Sequence, residues 1–124
     1  MERIYYKSAT SVNPLSAAVR VGDTLYVSGQ LGIDPATKKM AGEDAASQTR
    51  QAMINLRTVL ENAGFTMDDV VKTMVYAADG ADMPAINAEY GAAWGENKPA
   101  RSAVLVAFPN KAAKFEVEAI AVKG

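Results

Sequence analysis

The sequence contains no cysteine and no histidine. Without cysteine there is no thiol nucleophile and no disulfide, and without either residue there is no Cys/His zinc site. The lack of histidine rules out a Ser-His-Asp triad within one chain and every mechanism with an imidazole base. Proton transfer falls to Asp, Glu, Lys, Tyr, the chain ends or water. Excess charge is missing too: 13 Lys+Arg against 14 Asp+Glu leave a net charge of -1. A phosphate-backbone binder usually carries a clustered excess of basic residues, so nucleic acid is not an expected partner. No stretch approaches the roughly 18 uninterrupted apolar residues of a membrane helix, and no membrane partner is expected. The start, Met1-Glu2-Arg3-Ile4-Tyr5-Tyr6-Lys7, lacks the apolar core of a signal peptide, which reads as a cytoplasmic protein. Phosphate-binding, dinucleotide-binding and calcium-loop patterns are absent, so no cofactor and no metal are expected.

What remains is ordinary for a globular protein: 124 residues, 49% hydrophobic and 22% charged. That length suits one domain, residues 1–124, with enough burial to fold without a staple. Val21, Leu25 and Val27 alternate with Thr24, Tyr26 and Ser28 around the turn pair Gly22-Asp23, the pattern of a half-buried hairpin. Residues 34–42 read as a polar loop. Ala46, Thr49, Met53, Leu56, Leu60 and Ala63 recur at helical steps, with Asp44 as the expected N-cap and Gly64 as the C-terminal stop. Residues 70–77 read as a strand. Asp82 is the expected cap of a second helix, with Pro84 in its first turn. Two last strands, 101–107 and 114–122, read as a hairpin joined by Pro109-Asn110-Lys111. The order of elements predicts an α+β sandwich, both helices on one sheet face. The strand at 101–107 is apolar on both sides, which predicts that a second subunit covers the other face.

Two features of the last third point to chemistry. Glu116 and Glu118 share one face of an otherwise apolar strand, which is either a solvated face at a sheet edge or a buried pair, where burial raises at least one carboxyl pKa unless a cation answers it. Arg101, after Pro99, is either a rim charge or a fork for a substrate carboxylate. In the hairpin register the two backbones lie roughly 14 Å apart. Ser28-Gly29-Gln30 ends a strand where a glycine lets a ligand approach the backbone.

Ser28-Gly29-Gln30, Gln48-Thr49-Arg50, Asn87-Ala88-Glu89-Tyr90, Pro99-Ala100-Arg101-Ser102 and Glu116-Val117-Glu118-Ala119-Ile120-Ala121 follow one another in an order and spacing that resemble the reactive intermediate deaminase family, the RidA/YjgF proteins. The resemblance covers nearly the whole chain. It implies a chorismate-mutase-like α+β fold with a six-stranded, mainly antiparallel sheet and two helices on one face, closed as a homotrimeric barrel. It also implies hydrolysis of 2-imino and 2-enamino acids to 2-keto acids and ammonia in clefts between subunits. Carried over by position, Arg101 binds the substrate carboxylate and Glu116 positions or activates water. Gly29, Ser28 and Asn87 contact substrate, with Leu15 and Ala103 as cleft positions. Leu15 stands where deaminating members usually have Tyr, and Ala103 where they often have Cys. A competing expectation is a trimeric module that binds small carboxylates, or acts as a chaperone, without turnover.

Overall fold

A computed structural model describes residues 1–124. Eight strands and two α-helices follow the order β1 (Arg3–Lys7), β2 (Ser16–Val21), β3 (Thr24–Leu31), β4 (Ile33–Asp34), β5 (Lys39–Met40), α1 (Ala45–Asn62), β6 (Val70–Ala77), α2 (Met83–Ala92), β7 (Ala100–Leu105) and β8 (Phe115–Val122). Six strands form one mixed sheet in the order β1-β2-β3-β8-β6-β7, and β4 and β5 form a separate small hairpin. Every pairing in the large sheet is antiparallel except β6 with β7. This is the expected α+β layering, with both helices on one face.

The core forms where alternating strand positions meet the helices. Leu25, Val27, Val75, Ala77, Phe115, Val117, Ala119 and Ala121 are buried against Ala52, Met53, Leu56 and Leu60 of α1 and Ile86 and Tyr90 of α2. Helix α1 starts as expected: the Asp44 carboxylate accepts from the Ser47 backbone N–H at 2.9 Å. Gly64 follows its end with φ +83°, a conformation that a side chain disfavours. Two buried polar residues of α1 serve the sheet. Asn55 donates to the carbonyls of Leu31 and Ile33 at 3.0 and 2.8 Å, holding the end of β3. Gln48 ties the segment after β5 to the segment before β8.

Three expectations change. Residues 34–42 are not wholly loop, since β4 and β5 pair there. Asp82 makes no side-chain cap; Asp79 instead accepts from the Ala81 N–H at the short turn before α2. The third change is larger: β7 and β8 are not a hairpin. Strand β7 pairs in parallel with β6, Thr73 opposite Arg101, because the intervening α2 carries the chain back across the sheet. Strand β8 inserts between β3 and β6, with Glu116 opposite Leu31 on one side and Tyr76 on the other. The doubly apolar β7 is therefore an edge strand, and all six of its residues are exposed in the single chain. The sheet face away from the helices also carries apolar side chains, with Tyr5 62%, Tyr26 52% and Val104 40% exposed. No helix is long and apolar enough to cross a membrane.

Candidate active site

The residues singled out in the sequence gather in two places, on opposite faces of the sheet. The first lies at the edge beside α2. Arg101 pairs with Thr73, whose side chain is buried toward the helices, so Arg101 points the same way. Its guanidinium carbon sits 5.0 Å from the centre of the Tyr90 ring, and one of its N–H groups donates to Asn87 Oδ1 at 2.9 Å. Asn87 and Tyr90 are three residues apart on α2 and hence neighbours on its surface. Tyr90 is buried, and its hydroxyl shares a 2.6 Å hydrogen bond with Thr73 Oγ1. Burial pushes the Tyr90 phenol up from its ordinary pKa. A neutral ring fixed in this way is a platform for the cation, a role the sequence reading did not assign to Tyr90. The guanidinium itself remains exposed, with donors free for a ligand. Ala103 lies two residues along the same face of β7.

The second place lies on the open face, where β3 meets β8. The pairing slips between Val27 and Gln30, and Gly29 sits in that irregularity. The Glu116 carboxylate lies directly over Gly29: a Cβ added there would stand 2.3 Å from Glu116 Oε2 and 2.6 Å from its Cδ. Only glycine leaves that space. The pair opens into a cleft of about 230 Å³. Leu15, Thr10, Asn13 and Phe108 help to wall it. Leu15 is 49% exposed and puts an apolar side chain on the wall of this cleft. Ser28 is outside the wall, its hydroxyl donating to the Ser16 carbonyl at 2.6 Å.

Charge at this second place follows from burial. Burial pushes the Glu116 carboxyl above its ordinary pKa, and the charge of Glu118 on the same face adds to the rise. The Tyr76 hydroxyl donates to Glu118, and this bond holds the phenol proton so firmly that its pKa is pushed up to about 12. Glu118 is thus occupied by a neighbour, while Glu116 has no hydrogen bond or ion pair to another side chain. A half-buried carboxylate without a partner, facing a cleft, is suited to hold water or a substrate proton.

Arg101 and Glu116 are two strands apart and offset by three residues along β6, about 14 Å between backbones at ordinary strand geometry, and the sheet lies between their side chains. They cannot share one cleft within one chain.

The family model for endoribonuclease L-PSP matches residues 6–123. The chain belongs to this family. A RutC family protein of Pyrococcus horikoshii is 41% identical over 112 residues, which are 90% of this chain and 89% of that one. The human protein named 2-iminobutanoate/2-iminopropanoate deaminase is 37% identical over 118 residues, covering 95% of this chain and 86% of its own. Among solved structures, RidA from an Antarctic Psychrobacter superposes with a TM-score of 0.90 at 36% identity, covering 97% of this chain and 99% of that one. The family resemblance read from the sequence motifs therefore holds.

Proposed function

We propose that the protein hydrolyses reactive 2-imino and 2-enamino acids to 2-keto acids and ammonia. The observation that carries this reading is the division of the candidate residues into two half-sites, a carboxylate anchor on one sheet face and an unpaired carboxylate over Gly29 on the other. The names of the mammalian relatives, 2-iminobutanoate/2-iminopropanoate deaminases, support the same reaction class.

Two half-sites on opposite faces become one site if the Arg101 edge of one copy meets the Glu116 cleft of another. A closed assembly of three copies, their open sheet faces turned inward, would bury the exposed side chains of Tyr5, Tyr26 and Val104 and repeat that junction at each interface. Arg101, held by Asn87 and Tyr90, binds the substrate carboxylate with two parallel N–H bonds, a charge-assisted contribution of roughly 1.5–3 kcal/mol. Glu116 orients a water molecule on C2 and takes one of its protons. The C–O bond forms as the C=N π pair moves to nitrogen. Glu116 returns that proton to the nitrogen, giving an amino alcohol; the hydroxyl proton then passes through Glu116 to the nitrogen as the C–N bond breaks, so ammonia leaves and the carbonyl remains. An imine is already electrophilic, so positioning supplies much of the effect and no covalent nucleophile is used. The reaction so written draws on no cofactor or metal.

Leu15 favours a second reading, a carboxylate-binding or chaperone-like module without turnover, because it offers no hydroxyl to the cleft. One assay separates the two. An amino acid oxidase generates the imino acid while semicarbazide traps it. The deaminase reading expects the unaltered protein to lower semicarbazone yield and Arg101→Ala to leave it unchanged. If neither has an effect while a small 2-keto acid still raises the melting temperature, the module reading replaces it.

A further inference from the structure

A second concave surface lies beside the Glu116 cleft, and the proposed reaction makes no use of it. One wall is the β4–β5 hairpin and the other is the 110–114 segment. Lys38, Lys39, Lys111 and Lys114 line it, against one acid, Glu43. The ion pair of this chain joins Arg50 to Glu89 instead, so no carboxylate lies within 4.0 Å of the four ammonium groups. In a chain of net charge -1 this is a concentrated positive field, four cations against one acid.

The walls are built rather than loose. Gln48 is fully buried and spans them, donating to the Gly42 carbonyl at 3.0 Å and the Ala112 carbonyl at 2.9 Å. Its own Oε1 accepts from the Lys114 backbone N–H at 2.8 Å. Lys38 adopts a left-handed backbone, φ 62°, at the tip of the hairpin. Its ammonium donates to the Ala9 carbonyl, between Ser8 and Thr10 of the cleft wall. Asn110 lines both concavities. The cationic groove thus adjoins the cleft, and one of its lysines reaches the cleft's own wall.

This arrangement answers a difficulty in the cleft. Glu116, with Glu118 on the same face, repels an approaching carboxylate. We propose that the lysine groove is an anion-capture site that draws the carboxylate-bearing imino acid to the mouth of the Glu116 cleft. The inference rests on the imine-hydrolysis reading and deepens it. Four cations around one groove raise the local concentration of an anion and speed its encounter, an effect that salt screens within about 10 Å at 0.1 M.

The test replaces all four lysines with glutamine in one variant and with arginine in another. Each is compared with unaltered protein in the semicarbazide competition, at a pH where the imine nitrogen is unprotonated. The readout is the protein concentration that halves semicarbazone yield, measured from low salt to about 1 M, where the screening length falls to about 3 Å. A reaction without protein is the reference at each salt. At low salt the glutamine variant is expected to need about tenfold more protein and the arginine variant about the same as unaltered protein. At high salt all three are expected to converge. A glutamine variant equal to unaltered protein at low salt overturns the proposal and leaves the imine reading intact, as does a deficit that persists unchanged at high salt. No suppression by unaltered protein overturns both.

Discussion

Gly29→Ala probes the Glu116 site without touching Glu116. The new Cβ would lie 2.3 Å from Glu116 Oε2, whereas ordinary contact begins near 3.4 Å. The carboxylate must therefore retreat by about 1.1 Å, the difference between those distances. A displacement of that size at a reacting group costs about 10²-fold in rate. Folding is expected to be nearly unaffected. The group that moves is the free end of a flexible side chain bordering the cleft. Gly29 also has no left-handed backbone, since that conformation is confined to Gly22 and Gly64 among the glycines. Alanine there loses less chain entropy on folding, which stabilises by about 0.4–1 kcal/mol and offsets the crowding. Gly32→Ala is the control. Its Cβ would lie equally close, 2.3 Å, to the Gln48 carbonyl oxygen and 2.6 Å from its Cα. Here the obstacle is the backbone of α1, so the substitution is expected to destabilise by about 3 kcal/mol. Urea denaturation and the semicarbazide competition, run on both variants, check the pair. A Gly29→Ala protein within twofold of normal activity, or one as unstable as Gly32→Ala, refutes the reasoning.

Other expectations follow from the same geometry. Glu116 has a raised carboxyl pKa, so it binds its proton more tightly folded than unfolded; its contribution is full below the ordinary carboxylate value and is lost as pH rises through the raised one. Glu116→Gln is therefore expected to melt higher than unaltered protein at pH 7 and equal to it near pH 3, while losing activity; equal melting at both values contradicts the assignment. Tyr90→Phe keeps the ring beneath Arg101 and is expected to retain activity, whereas Tyr90→Leu needs several-fold more protein for half suppression at unchanged secondary structure by circular dichroism. Gln48→Leu leaves the Gly42 and Ala112 carbonyls and the Lys114 N–H without their partner and is expected to cost about 1–3 kcal/mol in urea denaturation. Tyr26→Glu puts a charge on the open sheet face and is expected to lower the mass found by light scattering from that of three chains to one.

The sequence made some of this plain and hid the rest for physical reasons. Helix α1 was legible because its apolar face, cap and glycine stop agree. The turn at Gly22 was legible because a two-residue connection permits little else. The neighbours of β8 were not. A proline-bearing turn between two strands resembles a hairpin, and only the rule that strands joined through a helix run parallel would have sent β7 to β6. That misplacement also concealed the faces of Arg101 and Glu116. A side chain's face depends on strand order and register, which local alternation does not fix. The motif residues Arg101, Asn87, Gly29 and Glu116 were found individually, and the structure sorts them into pairs. Tyr90 is a core residue by burial, and its second role as a platform follows from the edge position of β7, which local sequence does not show.

The central claim is that the Arg101 half-site of one subunit completes the Glu116 half-site of another. Arg101→Ala and Glu116→Gln proteins, each expected to be inactive alone, can be denatured together, refolded as mixed assemblies and tested in the semicarbazide competition. If the site is shared between subunits, an equal mixture recovers about a quarter of normal activity, because one junction in four joins an intact arginine to an intact glutamate. The same proteins mixed without unfolding recover none. A refolded mixture that stays as inactive as its parents would contradict the shared site.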